Sequence, residues 1–315
     1  GEAAAGAKIS DEVDQKTGIP VVSLYGSGKY KPSPEALKDV DVLIYDIQDV
    51  GCRFYTYIST LTYVMEAGAE NGKEVVVFDR PNPNGYYVDG NILDPAFKSF
   101  VGMHPVPIVY GMTSGEYAKM VNGEGWLKDG VQCDLTVIPC KNYTHATHYD
   151  LPVPPSPNLA TAKSIALYPS LCYFEGTPLS EGRGTPWPFE VFGSPLLPET
   201  GFSFVPQPRE GAKSSKHYGV RCNGLVARLV PGKPRVVGVG VCQFPEGAAG
   251  ELFYAFLRFV GRRGDFAQTD RGGDDRPADP RYVEKGSGAF PDDPFEVFAV
   301  RGFRSSHRGE VIKNQ

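Results

Sequence analysis

Two short β-branched runs, Val42–Asp46 (VLIYD) and Val75–Asp79 (VVVFD), flank a segment of helical spacing from Phe54 to about Glu70, which Gly72 closes. A strand–helix–strand unit with a short return is a crossover, so the two strands are expected to be parallel. Each then ends on an aspartate at one shared sheet edge. A further buried strand is expected at Val21–Tyr25 (VVSLY). Another cycle follows at Pro107–Tyr110, a helix from Thr113 with Glu116 completing a capping box, and Leu135–Pro139. Between Leu151 and Pro208 the text becomes Pro-rich around a helix expected at Ala160–Leu167. Loops this long inside a compact domain are usually functional or disordered.

With 315 residues, the chain has room for about two domains at ~150 residues each. Hydrophobic residues at 41% and charged residues at 22% are enough for a real core. No apolar run reaches the roughly 18 residues of a membrane span, and a net charge of −5 supplies no basic field for nucleic acid. The 17 Tyr and 18 Phe suit either a core or a groove that stacks on sugar rings. The six cysteines include no C-x-x-C pair, so neither a disulfide scaffold nor zinc is indicated and the compartment stays open. The opening GEAAAGAK has neither Met nor a signal-type apolar stretch and reads as the interior of a longer protein.

YDIQDVGCRFYTY (Tyr45–Tyr57) is the densest constellation, presenting Gln48, Asp49 and Arg53 in a turn after Asp46. Ligands of parallel α/β sheets bind in the crevice at the carboxyl ends of strands, so this turn points to function beyond structural capping. FDRPNPNG (Phe78–Gly85) repeats the arrangement with Arg80 and Asn82, although N-P and N-G also make plain turns. SPN (Ser156–Asn158) and FEGTPLSEGRGTPWPFE (Phe174–Glu190) carry Glu175, Glu181, Arg183 and Glu190 among Gly and Pro. Carboxylates beside arginines are what a glycosidase of anionic sugars needs, and equally what a surface salt-bridge cluster looks like. GSGKYK (Gly26–Lys31) lacks the spacing of a phosphate loop, His145 and His148 lack a third metal ligand, and no G-x-S-x-G elbow occurs. Asn142-Tyr143-Thr144 is a formal glycosylation sequon.

LIYDIQDVGCRFYTYISTL, FDRPNPNG, GMTSGEYA, PPSPNL and YPSLCYFEGTPLSEGRGTPWPFEVFGSP, in this order, resemble the DUF1343 family, the exo-β-N-acetylmuramidases called NamZ. The resemblance runs from Gly1 to about Arg228, and FVPQPREGAKSSKHYGVRCNG looks like its Bacteroidetes-type branch. It implies an α/β fold: a Rossmann-like parallel sheet domain with a second, smaller C-terminal α+β region and a cleft between them. The implied activity is removal of β-linked N-acetylmuramic acid from non-reducing ends of peptidoglycan chains, in the periplasm or outside the cell. On this reading Asp49 and Glu181 are the carboxylates nearest the chemistry, with Glu175 and Asp46 behind them. Arg53, Arg80 and Arg183 are candidates for gripping the lactyl carboxylate. Asn82, Asn158 and Tyr55 would hydrogen-bond hydroxyls and the acetamido group. Partners are peptidoglycan-derived muramyl glycans, and no metal or other cofactor is called for, since two carboxyl groups suffice. A peptidoglycan-binding remnant without turnover is the alternative. A nucleotide-dependent transferase is disfavoured by the absent phosphate loop.

Similar family members carry P-E-H-G just ahead of the segment that opens this chain, and its glutamate is a leading catalytic candidate of the family. No leucine follows Leu257, and the text there is Arg-, Gly-, Asp- and Pro-rich. Shifted by one nucleotide with permissible codons, Arg281–Val300 and Phe253–Arg263 can be re-read as family-like helices. The expected organisation is therefore residues 1–150 as the α/β domain without its first βα unit and 151–235 as a cleft-forming region. Residues 236–315 are expected to be an atypical tail, disordered or out of frame.

Overall fold

The computed structural model describes residues 11–24 and 30–229, and the expectations for the tail lie outside them. The described chain begins with β1 (Glu12–Val13) paired antiparallel to β2 (Pro20–Val21), then a single turn α1 (Pro34–Leu37) capped by the Ser33 hydroxyl. Among the described residues the strand expected at Val21–Tyr25 does not form. Val21 pairs locally with Glu12, Val22–Leu24 are irregular, and Val21 and Val22 are 37% and 50% exposed. Asp14 is the cause: its carboxylate accepts the Thr17 amide (3.0 Å) and its carbonyl the Gly18 amide (2.8 Å), folding the chain back on itself there.

The α/β unit is as the hydrophobic periodicity predicts. β3 (Val42–Tyr45), α2 (Tyr57–Asn71) and β4 (Glu74–Phe78) form the crossover, and α3 (Ser114–Gly123) leads to β5 (Leu135–Ile138). The sheet runs β3-β4-β5, all parallel, with Tyr45 opposite Val77 and Val77 opposite Val137. Gly72 ends α2 in the left-handed region (φ 62°), its amide reaching back to the last turn. The Thr113–Glu116 capping box starts α3. Ile58, Leu61 and Met65 of α2 pack with Val75 and Val77 of β4 and with Tyr117, Ala118 and Val121 of α3.

That layer covers one face. On the other, Val42, Ile44, Phe78 and Ile138 are 41%, 61%, 42% and 50% exposed, so the strands are buried on one side rather than through their thickness. Pro107–Tyr110 is not a sheet strand either. Val109 makes isolated bridges to Cys52 and Asp89, and Pro105 and Pro107 remove the donors a ladder would need.

After the Pro-rich segment, α4 (Ala162–Leu171) carries Pro169 in its last turn, where the ring lacks the N–H for an i→i−4 bond. The chain tightens into a 3-10 turn over Cys172–Gly176, which delivers Glu175. β6 (Val191–Ser194), β7 (Ser203–Phe204) and β8 (Cys222–Val226) form a smaller antiparallel sheet ordered β6-β8-β7.

Leu61→Ala, at a fully buried α2 position (0% exposed), is expected to lower the unfolding free energy by about 2–5 kcal/mol. Ile44→Ala, on the open face, should change it by less than ~1 kcal/mol. Chemical denaturation of both variants checks the contrast; equal losses would mean that Ile44 is covered.

Candidate active site

Both aspartates that end the parallel strands sit at one edge, and they do different work. Asp46 Oδ1 accepts Nε of Arg80 at 2.7 Å, with the two side chains 46% and 43% exposed. Asp79 serves the start of α3: Oδ1 accepts the Gly115 amide (2.9 Å) and Oδ2 the Thr113 hydroxyl (2.6 Å). Beside it Glu116 binds Nε2 of His145 at 2.9 Å. His148 packs its ring on Tyr86, so the H-x-x-H pair is split between two neighbourhoods.

The turn after β3 is laced to the loop after β4 by amide side chains. Gln48 Nε2 donates to the Pro81 carbonyl (2.9 Å), and Asn84 Nδ2 donates to the carbonyls of Val50 (2.9 Å) and Ile165 (3.2 Å). Asn82 donates Nδ2 to Met112 O (2.8 Å) and accepts the Asn84 amide on Oδ1 (2.8 Å). Gly51, at φ +72°, presses against Asn82 so closely that a Cβ there would meet Oδ1 at 2.2 Å. The first two motifs therefore share one edge. Their polar side chains are spent largely on holding backbone.

Asp49 lies inside this lacing, 5% exposed. Its Oδ2 accepts the Gly51 amide (2.6 Å) and the Tyr110 hydroxyl, while Oδ1 is buried with no hydrogen bond. Burial pushes its carboxyl up to about 6, against the pull of Tyr110 and the Gly51 and Val50 amides. Arg53 is equally enclosed, at 4% exposure; Nη1 donates to the carbonyls of Asn91 and Val106, and the desolvated guanidinium is pushed below its ordinary value. Tyr55 donates to Pro155 O (2.9 Å), and buried Asn158 gives Nδ2 to Gly211 O (2.9 Å). Asp49, Arg53, Tyr55, Asn82 and Asn158 thus hold the walls together.

The second charged group gathers beyond α4. Edge-to-face contacts run from Tyr55 to Tyr168 (5.9 Å) and from Tyr168 to Phe189 (4.9 Å), and Arg183 lies over the Phe189 ring at 5.1 Å. Arg183 Nη2 donates to Glu175 Oε2 (2.9 Å), and its Nε lies 3.2 Å from Glu181 Oε1. Glu181 is 3% exposed and sits between Arg183 and Lys216, whose Nζ is 3.0 Å from Oε2. Glu175 keeps 38% of its side chain exposed. Partial burial pushes its carboxyl up, Arg183 and Lys216 pull it down, and the Glu181 charge pushes it up again. Phe189 holds φ +56°, a strained value for a bulky residue that recurs at functional sites.

A cavity of about 260 Å³ opens where Pro83–Tyr86 and His148–Leu151 meet α4, lined by Asn84, Tyr86, His148, Tyr149, Lys163 and Ile165 among others. Lys163 at its rim is paired with Glu190 at 3.0 Å. Asn84 stood within a motif the sequence reading singled out. Tyr110, Lys163 and Lys216 had no local signal, since each acts through partners remote in sequence.

Comparison with known proteins adds the family. The models described as exo-beta-N-acetylmuramidase NamZ, N-terminal and C-terminal, match residues 1–163 and 166–233. Peptidoglycan beta-N-acetylmuramidase NamZ of Bacillus subtilis (strain 168) is 46% identical over 241 residues, 71% of this chain; the chain spans 57% of that relative's length. A DUF1343 family crystal structure from Bacteroides fragilis NCTC 9343 matches with a TM-score of 0.70 and 44% identity, covering 81% of this chain and 72% of the other. A second from the same organism gives 0.63 and 32%, covering 79% and 66%.

A carboxyl raised on folding loses stability as pH climbs through its folded value, so ionised Asp49 opposes folding above about pH 6. Asp49→Asn is therefore expected to be more stable than the parent at pH 8, by up to about 3 kcal/mol. The gap should close below about pH 4. Denaturation at the two pH values measures it, and a gap that does not change with pH would remove the raised carboxyl.

Proposed function

The chain belongs to the exo-β-N-acetylmuramidase NamZ family, and from that premise we propose that it acts on β-linked N-acetylmuramic acid at the non-reducing ends of peptidoglycan fragments. Glycoside hydrolysis needs a carboxylic acid that can reach and protonate the leaving oxygen, and a second carboxylate to act as base or nucleophile. Reach decides among the four carboxylates proposed from sequence. Asp49 and Glu181 are 5% and 3% exposed, whereas Asp46 and Glu175 meet solvent. The observation that carries this reading is the Glu175–Arg183 pair. It joins an accessible carboxyl, which burial raises toward the protonated form, to a guanidinium that donates Nη2 to it and keeps 21% of its own side chain exposed.

In this proposal Glu175 donates the proton, and Arg183 grips the lactyl carboxylate that distinguishes muramic acid from N-acetylglucosamine. A planar guanidinium suits a carboxylate because its parallel N–H groups match the two oxygens. Asp46, paired with Arg80 at the sheet edge, is the other solvent-exposed carboxylate of the four. Asp49 and Glu181 hold backbone and cations in place instead. For such a substrate we propose a periplasmic or extracellular location. Among the described residues no helix is long and apolar enough to cross a membrane.

The test is release of free N-acetylmuramic acid from a disaccharide with β-linked muramic acid at its non-reducing end. Glu175→Gln should lower kcat by roughly 10²–10⁴-fold, the range for loss of a general acid. Arg183→Ala should weaken binding of muramyl ligands far more than of N-acetylglucosaminyl analogues. Ligand binding without release would leave a binding module in place of an enzyme, and equal losses for both sugars would take Arg183 out of the carboxylate-reading role.

A further inference from the structure

We propose that Lys216 is the positioning residue that holds Glu175 and Arg183 in register, an inference that rests on the reading of that pair as the acid and the carboxylate grip. Lys216 arrives from the segment between β7 and β8, 41 residues along the chain from Glu175 and 33 from Arg183. Its ammonium donates to the Phe174 carbonyl (2.6 Å), the Leu179 carbonyl (2.8 Å) and Glu181 Oε2 (3.0 Å). An ammonium has three protons to give, and all three are given. Lys216 therefore has no donor left for a substrate and acts through its partners.

Those partners bracket the pair. Phe174 precedes Glu175 directly, Leu179 lies between the two glutamates, and Glu181 is the buried anion that faces Nε of Arg183 at 3.2 Å. The neighbouring His217 adds a fourth tie, Nε2 to the Pro178 carbonyl at 2.6 Å, from a backbone held at φ +56°. On the far side the Phe189 amide donates to the Glu181 carbonyl (2.7 Å) and its ring supports Arg183. Glu181 thus works as a buried counter-ion shared by one cation that clamps the loop and another that faces Glu175. Without Lys216 the carbonyls beside Glu175 lose their clamp, and Glu181 is left to draw on Arg183 alone.

The charged groups facing Glu175 are Arg183, Glu181 and Lys216, and the Lys216 charge favours the ionised form of Glu175. In Lys216→Met the Glu175 carboxyl should therefore titrate at higher pH than in the parent, read by carbon NMR of the labelled full-length chain. With the disaccharide as substrate, kcat should fall roughly tenfold to a hundredfold while KM stays within about twofold, as expected for misplacement of a reacting group. If Lys216→Met does not fold, Lys216→Met/Glu181→Met removes the half-buried ammonium and its buried counter-ion together. It should fold and still show the low kcat, because neither new side chain can clamp the carbonyls. A folded variant with unchanged Glu175 titration and unchanged kcat would overturn the inference. Loss of stability with the titration and the kcat of the folded fraction intact would reduce Lys216 to a structural tie and overturn it too. The proposed reaction fails by a separate sign, namely full turnover in Glu175→Gln.

Discussion

Because β3 and β4 run parallel, the chain must leave the same edge of the sheet twice, and at each exit it has to cross open space before a helix can begin. Much of the polar lacing at that edge answers to the backbone groups left unpaired by these crossings. Asn84, Asn82, Gln48 and Arg53 all donate to main-chain carbonyls from loops well separated in sequence. A buried carbonyl without a partner costs about 1–3 kcal/mol, so these side chains are held as firmly by folding as they would be by a ligand. An amide or guanidinium in a loop motif is thus not by itself a ligand contact. The geometry of the loop can require it first.

Burial separates the charged groups in the same way. Asp49 and Glu181 are both almost sealed, yet they meet different fates. Glu181 has a cation on each oxygen, while Asp49 has only neutral donors on one oxygen and nothing on the other. At Asp49 desolvation outweighs the neutral donors and drives the carboxyl up to about 6. Glu175 shares its partner Arg183 with Glu181. Burial raises the Glu175 carboxyl most, Arg183 pulls it back, and the Glu181 charge raises it again.

The fold was legible where local rules and tertiary packing agree. The crossover, the left-handed Gly72 and the Thr113–Glu116 box all follow from short-range chemistry that the packing leaves undisturbed. Val21–Tyr25 and Pro107–Tyr110 read as strands by composition, but one is captured by the Asp14 turn and the other sits among prolines in a loop. The site was legible as a set of motifs. Its internal order was not, because exposure is a property of the folded neighbourhood. Asp49 and Asp46 lie three residues apart on one turn, yet one is sealed and the other open. Tyr110 and Lys216 could not be read at all, their partners lying 61 and 35 to 42 residues away.

The choice of cation at each place follows from the shape of its partners. Lys216 meets two carbonyls and a carboxylate converging on one point, which suits a small tetrahedral ammonium; a planar guanidinium would have to leave one of them out. Arg183 instead lies flat on Phe189 and spreads its nitrogens between Glu175 and Glu181, a task for an extended fork that stacks as it binds. Arg53 uses the single nitrogen Nη1 to join two carbonyls distant in sequence, those of Asn91 and Val106. Three cations that look alike in sequence are therefore distinguished by whether their acceptors lie around a point, along an edge or across a gap. Among them, Arg183 alone combines contact with an accessible carboxylate and exposure of its own, 21% of its side chain, and this is why we propose the chemistry there.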